Sequence, residues 1–152
     1  GIANYGRITS ALERELAHAL RYGRALALVM FDIDDLKGWN DRYGHAAGNT
    51  ALVRVATLLC ERSRQSDTAG RYGGDELVLV LPETTTDGAL AVAEKVRAAV
   101  ESLAHSDGGA SLTISAGVAS VPADGTTVAD LIRAADARLY RAKAAGKNRV
   151  IA

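Results

Sequence analysis

Cysteine occurs once in the 152 residues, at Cys60, so no disulfide can close within the chain. Cys60 continues the helical apolar pattern of Leu52, Val55, Ala56 and Leu59, and is expected as a small core residue in a reducing compartment. An excess of either charge is also missing: 18 Lys and Arg balance 18 Asp and Glu. A neutral chain has no field with which to release counterions from a nucleic-acid backbone, so no DNA or RNA polymer is expected as a partner. Aromatic residues make up 5%, too few for a base-stacking platform. A neutral total still leaves room for a local cluster of cations built for one small polyanion. The longest apolar run, Ala25 to Phe31, falls far short of the ~20 residues of a membrane helix, and the N-terminus lacks the basic-then-apolar order of a signal peptide. No membrane contact by this segment, and a cytoplasmic location, are expected. No repeat, low-complexity segment or long linker occurs, and a chain this long buries roughly 70% of its unfolded surface, which predicts one domain over residues 1–152. The polar opening Gly1 to Gly6 reads as the tail of a loop, as in a domain excised from a longer protein.

What is present is a regular alternation of patterns. Ile8, Leu12, Leu16, Ala19 and Leu20 recur at helical spacing until Gly23, and the run from Ala25 to Phe31 predicts a buried strand. Asp32, Asp34 and Asp35 crowd its end; a short helix to about Tyr43, a turn through Gly44 and Gly48, and a helix to about Arg64 follow. Thr68 to Tyr72, Gly73-Gly74 and Asp75 to Leu81 predict a hairpin, with both glycines supplying positive φ and Pro82 ending the second strand. Ala89, Val92, Ala93, Val96 and Val100 define a helix. Asp107-Gly108-Gly109 leads into a half-buried strand through Leu112, Ile114 and Ala116. Val128, Leu131, Ile132, Ala135 and Leu139 mark a last helix, closed by Gly146 before a short strand from Arg149 to Ile151. The pattern predicts an α/β sandwich: a mixed sheet with helices on both faces.

Two clusters carry candidate chemistry. Period-2 alternation puts Asp32 and Asp34 on one face of the first strand, with the Ile33 carbonyl between them. Asp75 and Glu76 follow the tip of the hairpin. Either cluster alone also fits solvated turn decoration. If the first strand and the hairpin are neighbours, their carboxylates converge at one sheet edge as hard oxygen ligands suited to Mg²⁺, whose shell substrate phosphates complete. Lys37, Arg71, Lys143 and Lys147 supply local cations, and Gly73 and Gly74 let a bulky substrate lie against the backbone.

Four segments in order, Asp32-Ile33-Asp34-Asp35-Leu36-Lys37-Gly38-Trp39-Asn40-Asp41, Tyr43-Gly44-His45, Arg71-Tyr72-Gly73-Gly74-Asp75-Glu76-Leu77 and Leu139 to Asn148, resemble the GGDEF domain of diguanylate cyclases over nearly the whole chain. The resemblance implies the nucleotidyl-cyclase fold, a ferredoxin-like palm, and the condensation of two GTP into cyclic di-GMP with release of two pyrophosphates. It further implies metal ligation by Asp32, the Ile33 carbonyl and Asp75, with two Mg²⁺ or Mn²⁺ per site, and Glu76 as the adjoining catalytic acid. By the same resemblance, Lys37, Lys143 and Lys147 contact the triphosphate, the amides around Asp35 and Leu36 cradle it, and Asn40 and Asn49 read the base. Arg64 and Asp67 match the family's RxxD inhibitory motif, where product binds. The implied partners are a second GGDEF domain, because one site cannot close a cyclic dinucleotide, and an upstream sensory or dimerisation domain. A GGDEF module that binds GTP or cyclic di-GMP without catalysis is the alternative; retention of Asp32, Asp75, Glu76 and Lys37 favours the enzyme. A class III nucleotidyl cyclase fits the glycine-acid hairpin less well.

The chain departs from the family pattern at several positions. Leu77 stands where Phe is usual and is expected to pack beneath the hairpin, away from the metal ligands. Lys147 stands where Arg is frequent, replacing a planar fork by a point charge. Lys95 occupies the place of a secondary inhibitor-binding arginine, which weakens interdomain locking. Asn49 stands where Asp is usual. An amide offers guanine one acceptor and loses the charge-assisted bond, so either purine selectivity relaxes, with cyclic GMP-AMP as a minor product, or Asn49 caps its helix and guanine still binds. Outside the family motif, Arg64 and Asp67 would form an i, i+3 ion pair. His45, in the glycine-rich turn, reads as structural; Trp39 reads as core; His18 and His105 carry no readable role.

Overall fold

The computed structural model describes residues 2–106 and 111–152. Helix α1 spans Tyr5–Tyr22, strand β1 Leu26–Ile33, helix α2 Leu36–Tyr43, helix α3 His45–Glu61, strands β2 and β3 Thr68–Gly73 and Glu76–Pro82, helix α4 Thr86–Ser106, strand β4 Ile114–Val121, helix α5 Val128–Ala144 and strand β5 Val150–Ile151. The five strands form one mixed sheet in the order β2-β3-β1-β4-β5, antiparallel throughout except for the parallel β4 and β5 pair. The expected architecture is therefore present.

The alternation in β1 explains the two layers. Ala27, Val29, Phe31 and Ile33 face a core built with α3 and α4, whereas Leu26, Leu28 and Met30 face one built with α1 and α5. Continuing that period puts Asp32 and Asp34 on the α5 side. Gly117 in β4 lets α5 approach so closely that any Cβ there meets the Ala135 carbonyl and the Leu139 amide.

Several local expectations are corrected. Asn4 accepts the Arg7 N–H at 3.0 Å and caps α1, so helix begins at Tyr5 within the polar opening, with Ala3 bridged to Gly70. Cys60 is exposed, because it lies about 100° round α3 from the buried Leu59. The break between α2 and α3 is confined to Gly44; Gly48 and His45 belong to α3, and His45 is exposed on its first turn. α3 ends at Glu61, so Arg64 to Asp67 form a turn instead of a helix end. In the hairpin only Gly74 has positive φ, 49°; Gly73 ends β2 at a register shift. β4 begins at Ile114 and is buried on both faces, since its polar members are satisfied internally: Ser120 bonds Thr86 at 2.6 Å. The Asp107-Gly108-Gly109 segment lies outside the described residues, as does the His105 side chain. Among the described residues no helix is long and apolar enough to cross a membrane.

Candidate active site

The site forms where β1, the β2-β3 turn and α5 meet. Register sets its first pair: Asp32 in β1 lies directly opposite Glu76 in β3. Both occupy even positions, the side of Met30 and Val78, and so face α5. Asp75 is exposed in the turn itself, one residue from Glu76. Arg71 Nε donates to the Gly74 carbonyl at 2.7 Å, which braces the turn and engages the guanidinium assigned to substrate. Leu77 is 1% exposed and faces Phe31 on the opposite side of the sheet, so it leaves the acids untouched.

Helix α5 completes the site with Lys143, whose Nζ lies 2.9 Å from Asp32 Oδ2. Burial raises the Asp32 pKa above the usual carboxylate value; Lys143 opposes that shift, and the charges of Asp75 and Asp34 reinforce it. Glu76 is also raised, first by burial and then by Asp136 and Asp32. Asp136 was not singled out from sequence. Its signal was the seven-residue spacing to Lys143, two turns along the same face of α5.

Five carboxylates, Asp32, Asp34, Asp75, Glu76 and Asp136, thus interact around one ammonium. That excess of negative charge and the hard oxygen donors fit a divalent cation, for which the Lys143 ammonium stands in at Asp32. Among the described residues no three His, Cys, Asp or Glu side chains converge tightly enough to hold an ion unaided. Ligation then requires the Ile33 carbonyl, water or substrate oxygens.

The start of α2 lies next in sequence. Asp35 has φ 51° and caps the helix by accepting the Gly38 N–H at 3.3 Å; a side chain at Gly38 would collide with its carboxylate. Trp39 N–H bonds the Asp35 carbonyl at 3.0 Å, so the amides of Leu36 and Lys37 have no intrahelical acceptor. Lys37 is exposed beside them. Trp39 packs on the core as expected, its ring 4.7 Å from that of Tyr43, with Nε1 buried and unbonded.

Asn40 lies against Gly48, where any Cβ would overlap its Oδ1, and that oxygen is buried without a donor. Gly48 is therefore a glycine of space, kept for the Asn40 carboxamide. Asn49, the next residue, is exposed in the second turn of α3 and does not cap the helix, which corrects that alternative.

Arg64 and Asp67 lie at the other end of the sheet, roughly 20 Å away by the rise of β1 from Leu26 to Asp32. Asp67 Oδ2 accepts the backbone N–H of Arg64 at 2.8 Å, so the two are joined through the main chain and not as a side-chain ion pair. Asp67 Oδ1 is buried without a donor, and burial raises the Asp67 pKa. Arg64 lines a cleft of about 370 Å³ with His18, Arg24 and Ser66.

The family model for the diguanylate cyclase, GGDEF domain, matches residues 1–149. Diguanylate cyclase A of Treponema denticola is 42% identical over 127 residues, covering 82% of this chain and 34% of that protein. The chain spans about a third or less of the length of the curated relatives it matches first. Among solved structures, the active GGEEF domain of a diguanylate cyclase from Vibrio cholerae superposes with a TM-score of 0.93 at 30% identity, covering 99% of this chain and 97% of that one. The GGDEF domain of DgcB from Caulobacter crescentus, in complex with c-di-GMP, gives 0.88 at 30% identity, covering 98% and 90%.

Proposed function

Because this chain belongs to the GGDEF family of diguanylate cyclases, we propose that it condenses two GTP into cyclic di-GMP and two pyrophosphates, in a pair of domains that each bind one nucleotide. The observation that carries this reading is the register pair Asp32 and Glu76, joined by Asp75 at the turn and Lys143 from α5. Asp32, the Ile33 carbonyl and Asp75 would hold the divalent cations, two Mg²⁺ or Mn²⁺ with bound GTP. When bound, such ions activate the attacking 3′-hydroxyl and neutralise the leaving pyrophosphate.

The chain's own residues bind and orient. Lys143 exchanges the Asp32 carboxylate for phosphate oxygens, Lys37 and Lys147 add charge, and the free amides of Leu36 and Lys37 cradle the triphosphate. Gly73 and Gly74 keep the turn open to substrate. Glu76, whose raised pKa favours proton uptake, takes the proton from the 3′-hydroxyl or supports the metal. The Asn40 carboxamide, whose Oδ1 has no donor where it lies against Gly48, turns outward to accept from the guanine exocyclic amine.

The test is incubation of the domain, fused upstream to a dimerisation helix, with GTP and Mg²⁺, followed by chromatography. Cyclic di-GMP is the expected product. Its absence at high protein concentration overturns the cyclase reading and leaves a nucleotide-binding module.

Two variants examine the departures from the family pattern. With GTP and ATP in competition, Asn49→Asp is expected to raise the ratio of guanine to adenine incorporated by about tenfold, because a charged acceptor replaces a neutral one. Equal purine ratios in both proteins would remove Asn49 from base selection. Cyclic di-GMP is expected to dock in the cleft that Arg64 lines, beside Asp67. Arg64→Ala should therefore relieve product inhibition without abolishing synthesis, and an unchanged inhibition curve would refute that assignment.

A further inference from the structure

The two acids that share a face of β1 have opposite surroundings. Asp32 is partly exposed, and among the described residues its close side-chain partner is Lys143. Asp34 is 8% exposed and saturated: Ser115 Oγ donates to Oδ1 at 2.7 Å, Thr113 Oγ1 to Oδ2 at 2.8 Å and the Asn148 backbone N–H to Oδ2 at 2.9 Å. Lys143 Nζ stands 3.8 Å from its Oδ1. A carboxylate so occupied has little capacity left for a metal.

What Asp34 holds is the turn after α5. The helix ends with the Lys147 N–H on the Ala142 carbonyl at 3.0 Å and the Gly146 N–H on the Lys143 carbonyl at 3.3 Å. Lys147 and Asn148 then both take left-handed backbone, φ 64° and 48°, which disfavours side chains other than glycine and persists only where surroundings impose it. The surroundings grip Asn148 from two directions. Its main chain is tied to Asp34, and its side chain accepts from Arg97 Nη1 at 2.7 Å and donates to Glu101. Arg97 is itself fixed on α4 by Glu94 at 2.6 Å and Glu101 at 2.8 Å.

We propose that Asp34, Asn148 and Arg97 form a positioning unit that holds Lys143 and Lys147 in place for the triphosphate. The inference rests on the reading of these lysines as phosphate contacts. Lys143 lies within the last turn of α5 and Lys147 just beyond it, so release of Asn148 frees Lys143 to move away from Asp32 and Lys147 to leave its left-handed backbone. The base pocket, built on α2 and α3, shares none of these bonds. The unit therefore affects the phosphates and spares the purine.

That separation defines the experiment. Binding of α,β-methylene-GTP and of GMP is measured by calorimetry for the wild-type chain and for Asp34→Asn, Asn148→Gly and Arg97→Met. Gly retains the left-handed backbone at 148, and Met leaves the Asp34 charge intact, so two variants remain informative if Asp34→Asn fails to fold. Affinity for the triphosphate analogue is expected to fall about tenfold or more, as for loss of other orienting partners, while GMP binding stays within about twofold. Unchanged analogue binding in Asn148→Gly and Arg97→Met, or a parallel loss of GMP, overturns the positioning role. A wild-type chain that binds GMP as tightly as the analogue overturns the phosphate reading of the lysines beneath it.

Discussion

Asp32→Asn is expected to abolish the proposed synthesis, by at least about a thousandfold, and to leave the fold as stable as before or more so. The two halves of this expectation have one cause. Burial raises the Asp32 pKa, so the folded chain holds a proton there more tightly than the unfolded one. Stability from that group is present at low pH and is lost as pH rises above the ordinary carboxylate range, through its raised folded value. At neutral pH the ionised Asp32 therefore opposes folding, with only Lys143 to offset it at 2.9 Å. The isosteric amide relieves the desolvation and keeps the volume; it gives up the anionic oxygen through which the proposed cation would bind. The measurements are product formation under saturating GTP and Mg²⁺, Mn²⁺ binding in the presence of a GTP analogue, and thermal melting. Retention of a tenth or more of the wild-type rate would contradict the ligand role. A fall in melting temperature of several degrees would contradict the account of its burial.

The sequence made much of this site legible, for a reason rooted in β geometry. Period 2 alone sends Asp32 and Asp34 to the side of Leu28 and Met30, and the hairpin glycines place Asp75 and Glu76 at the matching end of the neighbouring strand. Spacing could not distinguish the two acids of β1. Their difference depends on Thr113 and Ser115, some eighty residues away, which saturate Asp34 and leave Asp32 available. β4 misled for a related reason. Its small polar residues resemble a solvated face, yet Ser115 and Ser120 are buried because Asp34 and Thr86 satisfy them. The core placement of Cys60 and the helix end near Arg64 differ from the structure for a local reason: α3 stops at Glu61, and its buried stripe includes Leu59 without the residue after it. Asp136 was readable as an i, i+7 partner of Lys143, but only once the α5 face opposite Glu76 was known.

Gly117→Val is expected to be among the most destabilising substitutions in the chain. Gly117 sits in the middle of β4, paired with Met30 of β1, where α5 passes directly over the strand. A Cβ would run into backbone atoms of α5, at Ala135, Arg138 and Leu139, and a helix backbone has no rotamer by which to yield. The helix must lift, and with it Leu131, Ala135 and Leu139, all buried against the sheet. Overpacking of this kind costs roughly 3 kcal/mol, and for a domain of this length that lowers the melting temperature by about 10 °C. The bidentate pairing of Arg138 with Asp124, at 2.6 and 2.7 Å, ties the same stretch of α5 to the loop after β4 and resists the shift, so the strain spreads along the helix to Lys143. Loss of stability should accordingly be accompanied by weaker GTP binding in the fraction that remains folded. Circular dichroism melts and calorimetry on Gly117→Val, with Gly117→Ala as the milder step, measure both. A Val variant that melts within about 2 °C of wild type would show that α5 can be displaced at little cost, and that its close approach is not what seats Lys143 beside Asp32.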